Sequence, residues 1–211
     1  MIMNIEPGMI ELANLLLRKW VLKTSTLLDA FIAIDRKDFV PADMQQYAYE
    51  NKPLPIGSRQ TISQPYTVAF MMELLQPKLG DEVLDVGFGS GWSTGILAKL
   101  VGDEGSVCAV EIIPEIYKFG KENLKKYNYT NINFVLGSWI DIHSQTFDCI
   151  LVSAATYEPV ANQLILRLNV GGRMVIPICN SIGQSIRLVI KKSERETIEQ
   201  NYPGFIFVPL V

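Results

Sequence analysis

The sequence predicts an α/β fold in which a mostly parallel, seven-stranded sheet carries helices on both faces and a helical extension precedes the sheet. Short apolar, β-branched segments alternate with segments of helical periodicity, and a glycine-rich loop joins one such strand to a helix near mid-chain. Strands that alternate with helices pair in parallel, because each helix crosses a face of the sheet. We expect one domain over residues 1–211, with helices and a loop in residues 1–65 and the sheet core in residues 66–211.

The composition excludes several function classes. The 211 residues, 48% of them hydrophobic, are enough to bury one large core. Nineteen basic and 22 acidic residues leave a net charge of −3, without the basic patch of a nucleic-acid-binding protein. No apolar run has membrane-spanning length, and Glu6 and Glu11 are atypical of a secretory leader. We therefore expect a cytoplasmic protein that binds neither nucleic acid nor membranes, and we expect a monomer.

Cysteine and histidine usage argues against a metal site. Cys108, Cys149 and Cys179 lie far apart in apolar, strand-like segments, so we expect them to be small buried residues. The only histidine, His143, lies in a polar loop and cannot complete a zinc site without paired cysteines. We expect no metal. An exposed loop histidine is the favoured interpretation of His143, with a catalytic base as the alternative.

Two helices are predicted ahead of the sheet. Apolar residues recur at helical spacing over residues 6–22, including Trp20, and a second pattern starts at residues 24–26 and continues to Ile34. Pro41 ends this region, because proline disfavours helical backbone in the residue before it.

Residues 47–65 are predicted to be irregular, rich in proline and in side-chain hydrogen-bond donors. They lead into a helix predicted over Tyr66–Leu75, with Pro65 near its first position. Ser63 then lies at or just before the N-cap, where its hydroxyl and free backbone N–H groups can point at an anion. The alternative is that Ser63 only caps the helix.

A strand predicted over Val83–Val86 runs directly into Gly87, Gly89 and Gly91, and a helix is predicted over Ser93–Val101. Glycines at alternate positions let the chain turn sharply and leave no Cβ between the main chain and a ligand. In a parallel sheet, ligands bind outside the carboxyl ends of the strands. The loop is therefore typical of a nucleotide-type cofactor site.

The spacing and the flanking acids indicate which cofactor this is. The dinucleotide fingerprint fails, because Trp92 and Thr94 occupy the positions at which its last glycine would fall. Asp85, at the strand end, would repel a pyrophosphate but attract the amino group or sulfonium of S-adenosylmethionine. Glu111 ends the next strand, about 20 residues further on, where a carboxylate accepts ribose hydroxyls.

The remaining strands are predicted from apolar, β-branched segments, with helices at Glu115–Tyr127 and Glu158–Leu168. The last two strands have no helix between them, so we expect them to pair antiparallel. The predicted strands are Ser106–Val110, Asn131–Leu136, Phe147–Val152, Gly172–Ile178, Ile186–Ile190 and Phe205–Val208.

Motifs of one family run through almost the whole chain. They are Arg36-x-x-Phe39-Val40-Pro41, Pro53-Leu54-Pro55-Ile56-Gly57, Gln60-Thr61-Ile62-Ser63-Gln64-Pro65, the loop at Gly87–Gly91, Val152-Ser153-Ala154-Ala155, Gly171-Gly172-Arg173 and Phe207-Val208-Pro209-Leu210. By these motifs the chain resembles the protein-L-isoaspartate O-methyltransferases, S-adenosylmethionine-dependent repair enzymes. The second and third motifs are the most specific to this family.

The resemblance implies a Rossmann-like methyltransferase fold and methyl transfer to the α-carboxylate of L-isoaspartyl residues in damaged proteins, with Ser63 at the catalytic site. We expect substrate contacts from Ile56, Arg59, Gln60, Thr61 and Ile62. We expect cofactor contacts from Asp85, Val86, Gly87, Gly89, Ser90, Gly91, Glu111, Ile112, Gly137 and Ser138.

The chain departs from the family pattern near both expected ligands. Arg59 stands where the family typically has glycine, which adds a cation that can either bind the substrate carboxylate or narrow the entrance. Ser138-Trp139 follows Gly137 where the family's Gly-Asp-Gly directs an aspartate at the adenine amino group. Loss of that charge-assisted hydrogen bond is expected to weaken cofactor binding by about 1 kcal/mol.

An α-carboxylate is already ionised at neutral pH, so the reaction needs orientation and exclusion of water rather than a general base. We expect Ser63, with backbone N–H groups of residues 61–63, to anchor this carboxylate. Three alternatives stay open: a relative that methylates another peptide carboxylate, a non-catalytic cofactor-binding module, and a nicotinamide-dependent oxidoreductase, which Asp85 disfavours.

Overall fold

A computed structural model describes residues 6–142, 145–181 and 183–210 of the chain. In this part the helices are α1 (Pro7–Arg18), α2 (Ser25–Ala33), α3 (Pro65–Leu75), α4 (Trp92–Val101), α5 (Pro114–Leu124) and α6 (Glu158–Ile165). The strands are β1 (Leu54–Gly57), β2 (Gln60–Ile62), β3 (Glu82–Val86), β4 (Ser106–Glu111), β5 (Ile132–Leu136), β6 (Phe147–Val152), β7 (Leu168–Asn180), β8 (Gly183–Ser193) and β9 (Glu196–Pro203). Short 3₁₀ helices cover Arg36–Phe39, Ala42–Tyr47, Lys125–Tyr127 and Trp139–Asp141.

The large sheet has seven strands in the order β5-β4-β3-β6-β7-β8-β9. Strands β3 to β7 pair in parallel, whereas β8 and β9 join antiparallel. The predicted fold class is confirmed. Because β3 lies between β4 and β6, the order of the strands reverses beside it, and the glycine loop opens at that switch point.

The N-terminal helices share one core with the sheet's helices. Met9, Leu12 and Leu16 of α1 are buried in the same hydrophobic cluster as the inner residues of α3 and α4. Trp92, the first residue of α4, packs edge-on against Phe31 of α2 with ring centroids 5.1 Å apart. Burial of these helices against α3 and α4 links the two halves of the chain.

The first predicted helix ends earlier than expected. Helix α1 stops at Arg18, and Trp20 has φ 55 and an 80% exposed side chain, so its assignment to the helix was wrong. The turn at Trp20 brings Val21 and Leu22 back into the core, where they are almost fully buried. Burial of the two consecutive apolar residues Val21 and Leu22 is thus favoured over continuation of the helical pattern.

The stretch predicted to be irregular contains a hairpin, which the prolines of the sequence concealed. Strand β1 pairs antiparallel with β2, and Leu54 lies opposite Ile62. Ser58 and Arg59 form its turn with φ of 46° and 60°, the left-handed backbone that a two-residue type I′ turn requires. Glycine adopts this backbone without strain, whereas Arg59 does so at a cost of about 1–2 kcal/mol.

The prediction of a strand at Phe205–Val208 was wrong. The last strand is the polar β9, which pairs only with β8 at the sheet edge and therefore needs few apolar residues. Residues 205–208 instead cross the carboxyl end of the sheet, where the N–H of Ala155 donates to the carbonyl of Val208 at 2.8 Å. We expected antiparallel pairing between the last two strands. The structure has it there and also between β7 and β8.

The three cysteines are free, and Cys108 and Cys149 are buried in the sheet as expected. Burial raises the pKa of Cys108 to about 11 and raises that of Cys149 as well. The described residues hold no group of three His, Cys, Asp or Glu side chains suited to a metal. His143 lies outside the described residues, so its role stays a prediction. None of the described helices is both long and apolar enough to cross a membrane.

Candidate active site

One pocket opens at the carboxyl ends of β3, β4 and β6. Segments distant in sequence line it, because parallel strands bring their following loops to one edge. The lining residues are Gln60, Thr61, Ile62, Ser63, Val68, Val86, Gly87, Phe88, Gly89, Ser90, Trp92, Ser93, Val110, Glu111, Ile112, Ile113, Gly137, Ser138, Trp139, Ser153, Ala154, Val208, Pro209 and Leu210.

The glycine loop forms the floor of the pocket. Gly87, Gly89 and Gly91 have φ of 74°, 58° and 90°, a backbone that side chains rarely adopt. A Cβ on Gly87 would meet no protein atom within 4 Å, so the main chain there is open to a ligand. A Cβ on Gly120 of α5 would lie 2.3 Å from the Gly89 carbonyl oxygen. Because Gly120 has no side chain, the glycine loop can lie directly against α5, and this contact fixes the position of the pocket floor.

Glu111 ends β4 inside the pocket, with a side chain that the backbone orients. Its Oε2 accepts a hydrogen bond from the N–H of Gly89 at 3.1 Å, and its Oε1 accepts one from Ile113 at 3.0 Å. Each carboxylate oxygen keeps a further lone pair for ligand donors. These two acceptor oxygens fit the two hydroxyl donors of a ribose.

Asp85 lies beneath the glycine loop rather than in the pocket wall, and its side chain is fully buried. Its Oδ2 accepts hydrogen bonds from Thr94 at 2.8 Å and from Ser93 at 3.1 Å. Within the described residues, its buried Oδ1 has no hydrogen-bond partner. Burial raises the pKa of Asp85 to about 6. An unpartnered buried carboxylate oxygen at this place fits a cationic ligand group nearby.

Ser63 is half-buried in the pocket wall between β2 and α3. Helix α3 takes Gln64 as its N-cap, so the interpretation of Ser63 as the capping residue was wrong. Among the described residues no hydrogen-bond partner is found for the Ser63 hydroxyl. The hydroxyl is therefore free to bind a ligand.

Arg36 holds the backbone behind Ser63, a contact that sequence analysis missed. Its guanidinium is fully buried and donates to the carbonyl oxygens of Ala48, Glu50, Lys52 and Ser63 at 2.6–3.3 Å. Burial lowers the pKa of Arg36 to about 9. The family motif Arg-x-x-Phe-Val-Pro marked this arginine in the sequence, but only the fold places the carbonyls around it.

The far end of the pocket is formed by residues 137–139. Ser138 caps the following 3₁₀ helix: its hydroxyl accepts from the N–H of Ile140 at 3.3 Å, and its own N–H donates to Asp141 at 3.0 Å. The Ser138 hydroxyl expected to face a ligand thus already has a structural hydrogen bond. Trp139 is buried and also lines the pocket, a contribution that its position in the sequence did not predict.

The structure brings most of the predicted site residues together, with four exceptions. Ile56, Arg59, Asp85 and Gly91 do not line the pocket. Ile56 lies under the loop, with its Cδ1 3.7 Å from where a Gly89 Cβ would be. Gly91 packs on α5, and Arg59 is exposed at the hairpin turn. Contact of these four side chains with a ligand stays a prediction.

Residues 9–211 match the family model described as protein-L-isoaspartate(D-aspartate) O-methyltransferase. The protein-L-isoaspartate O-methyltransferase of Ignicoccus hospitalis is 38% identical over 204 residues, 95% of this chain and 96% of that protein. That of Methanopyrus kandleri is 39% identical over 90% of this chain and 85% of that protein.

Two solved structures share the fold. A Plasmodium falciparum chain described as a protein-L-isoaspartate O-methyltransferase, in complex with S-adenosyl-L-homocysteine, superimposes with a TM-score of 0.85, 24% identity, and coverage of 98% of this chain and 99% of that chain. A second structure with the same enzyme name has a TM-score of 0.85 and 25% identity, covering 96% of this chain and 66% of that chain.

Proposed function

Since the chain belongs to the protein-L-isoaspartate(D-aspartate) O-methyltransferase family, we propose that the pocket transfers the methyl group of S-adenosylmethionine to the α-carboxylate of L-isoaspartyl residues in damaged proteins. The chain is an S-adenosylmethionine-dependent protein carboxyl methyltransferase. The observation that carries the site assignment is that Ser63, the glycine loop and Glu111 border one pocket.

We assign the cofactor half of the pocket to the glycine loop and the residues after β4 and β5. When bound, S-adenosylmethionine supplies a methyl group that its sulfonium has already activated. Glu111 would accept hydrogen bonds from the ribose, and Gly87, Gly89 and Ser90 would let the main chain approach the methionine end. Residues 137–139 would border the adenine, and the buried charge of Asp85 would favour the cationic end of the cofactor.

The substrate half lies at β2 and Ser63. An α-carboxylate has a pKa of roughly 3.3–3.7, so it is ionised at neutral pH and needs no base. The Ser63 hydroxyl donates to one carboxylate oxygen and fixes the direction of the other towards the methyl group. Arg36 holds the Ser63 backbone in place through its carbonyl. Such positioning lowers the barrier by orientation.

The setting of the reaction is proposed from composition and fold. We expect a cytoplasmic monomer of one domain over residues 1–211 that acts on isoaspartyl proteins and peptides, without nucleic-acid or membrane partners. The net charge of −3 and the three free cysteines, two of them buried, support this proposal. The molar mass in solution by light scattering tests the oligomeric state.

Methyl transfer to two peptides of identical sequence, one with L-isoaspartate and one with normal aspartate, tests the proposed function. Labelled S-adenosylmethionine should give base-labile incorporation on the isoaspartyl peptide alone. Incorporation on another peptide carboxylate would assign the chain to a divergent substrate. Cofactor binding without any turnover would leave only a binding module and contradict the proposal.

The Ser63→Ala variant tests the role of the serine. Loss of a hydrogen bond to a charged group should lower kcat/KM on the isoaspartyl peptide about tenfold or more, while S-adenosylhomocysteine affinity and the unfolding midpoint stay unchanged. Ser181→Ala, at an exposed turn residue, is the matched control. Full kcat/KM in Ser63→Ala would remove the serine from the mechanism.

A further inference from the structure

A second groove lies between the first turns of α3 and the end of β9. Five of its seven lining residues carry aromatic or amide side chains, and none of the seven is charged. They are Gln64, Tyr66, Phe70, Tyr202, Pro203, Gly204 and Phe205. The groove is therefore suited to an apolar group and unsuited to an ion.

The aromatic rings of the groove are held by one another. Tyr66 and Phe70, four residues apart on the same face of α3, are stacked with centroids 6.4 Å apart and planes 9° apart. Phe70 also contacts Tyr202 edge-on at 5.2 Å and Phe205 at 5.0 Å. Tyr66, Tyr202 and Phe205 remain partly exposed. The groove is thus preorganised, with ring surface available to a ligand.

The aromatic groove and the active-site pocket are lined by neighbouring stretches of the chain at two places. Gln64 of the groove directly follows Ser63 of the pocket. Phe205 of the groove begins the segment that reaches the pocket at Val208. The same two stretches of chain therefore form walls of both cavities, and the groove starts on the substrate side, beside Ser63.

The segment between the two cavities is pinned to the sheet. The N–H of Phe207 donates to Oε1 of Gln184 at 2.6 Å, and Nε2 of Gln184 donates back to the Phe207 carbonyl at 3.2 Å. Phe207 is buried, whereas its neighbour Ile206 is 93% exposed and forms an apolar rim between the two cavities. This rim offers further contact area to a chain that leaves the pocket.

We propose that the aromatic groove binds an aromatic or large aliphatic side chain of the substrate protein, one to three residues from the isoaspartyl residue. The proposal rests on the proposed function, because the isoaspartyl carboxylate at Ser63 sets where the substrate chain starts. An extended chain covers about 3.3–3.6 Å per residue, so such a neighbour reaches a groove that begins one residue from Ser63. The groove then selects substrates by an apolar side chain near the damaged residue.

Kinetics on a peptide series test this selection. Each isoaspartyl peptide carries one phenylalanine, alanine or lysine at a single position within three residues on either side of the damage. At one or more positions, phenylalanine should lower KM about tenfold relative to alanine, with kcat nearly unchanged, since burial of an aromatic side chain stabilises binding alone. Lysine at that position should raise KM.

Two variants locate the effect. Tyr66→Ala and Phe205→Ala should each reduce the phenylalanine-to-alanine ratio of kcat/KM towards one, while kcat/KM on the alanine peptide is retained. This ratio is insensitive to a loss of folded enzyme, because both peptides are measured on the same preparation. Leu166→Ala, at an exposed apolar residue outside the groove, is the control that should keep the full ratio.

Three outcomes would overturn the proposal. Equal kcat/KM for all three peptides would leave the enzyme without a flanking-residue site, although the proposed function would stand. A ratio unchanged in both groove variants would place the selection elsewhere. If the native chain is dimeric, and Tyr66→Ala makes it monomeric without changing the ratio, the groove binds a second copy of the chain instead. Absence of methyl transfer to every isoaspartyl peptide would instead contradict the proposed function itself.

Discussion

Arg36 is a single residue that holds several parts of the backbone around Ser63 together. One buried guanidinium replaces water for four backbone carbonyls from both ends of the segment 48–63. No acidic side chain accepts from it among the described residues, so its charge is stabilised by peptide dipoles and by the Trp92 ring, whose centroid lies 5.4 Å from the guanidinium carbon. Its planar fork of five donors suits this arrangement, whereas a lysine offers three donors around one point.

Arg36→Lys is expected to keep the charge but lose part of this network. Some of the four carbonyls would be left without a donor. The free energy of unfolding should therefore fall by about 2–4 kcal/mol. The Ser63 backbone would loosen, so kcat/KM on the isoaspartyl peptide should fall more than S-adenosylhomocysteine affinity does. Urea unfolding, peptide kinetics and calorimetry give the three values. An equal fall in both would mean that Arg36 supports the whole pocket. Lys37→Arg, at the next residue, is the control.

Asp85 should make stability depend on pH. Its folded-state pKa of about 6 lies above the unfolded value of about 3.9, so its stabilising contribution is complete below about pH 4 and is lost as the pH rises through 6. Relative to Asp85→Asn, the native protein should lose about 2 kcal/mol of unfolding free energy between pH 4.5 and 7.5. Urea titrations at both pH values measure this difference. Parallel profiles of the native protein and Asp85→Asn would contradict a raised pKa of Asp85.

At the scale of elements, helix α5 and the glycine loop form one fitted contact. Gly120 of α5 allows the Gly89 carbonyl to approach the helix, and a Cβ on Gly91 would lie 2.9 Å from the Gly120 carbonyl oxygen. Each glycine is thus required by the other element. This contact positions the loop so that the Gly89 N–H donates to the Glu111 carboxylate.

Gly120→Ala should displace the loop, because the new methyl group would lie 2.3 Å from a backbone oxygen that cannot rotate away. We expect S-adenosylhomocysteine to bind about tenfold or more weakly, and the unfolding free energy to fall by about 1–3 kcal/mol. Isothermal titration calorimetry and urea unfolding measure the two effects. Lys118→Ala on the exposed face of α5 should change neither. Wild-type affinity in Gly120→Ala would show that α5 does not set the loop.

At the scale of the whole molecule, the site needs nearly every part of the chain. The N-terminal helices pack on α3 and α4, the hairpin supplies β2, and the segment after β9 returns over the pocket. Trp92 reports on this assembly, since its indole N–H donates to the Ile34 carbonyl at 3.0 Å across the two halves of the chain.

The chain should therefore unfold as one unit. With Trp20 and Trp139 replaced by phenylalanine, Trp92 is the only fluorophore of its kind, and its transition should coincide with that of far-UV circular dichroism. S-adenosylhomocysteine at 100 times its Kd should stabilise both transitions by about 2.7 kcal/mol. An earlier transition of Trp92 would mean that residues 1–65 unfold separately.

The sequence by itself determined the α/β class, the glycine loop and the family, and it marked Glu111 and Ser63 as candidate site residues. These signals are local: a strand, its loop and the next helix follow each other in the chain, so their residue types show directly. The hairpin was missed because Pro53 and Pro55 conceal it, and β9 was missed because an edge strand is polar.

Only the tertiary structure decided which residues share the pocket. Residues 208–210 and Trp139 line it because distant loops meet at one sheet edge, and Asp85 is withheld from it because its side chain points beneath the loop to Thr94. Arg36 and Gly120 act through backbone atoms far away in sequence, 27 residues in the case of Ser63. Contacts with backbone leave no trace in the partner's residue type, and for this physical reason the sequence could not predict them.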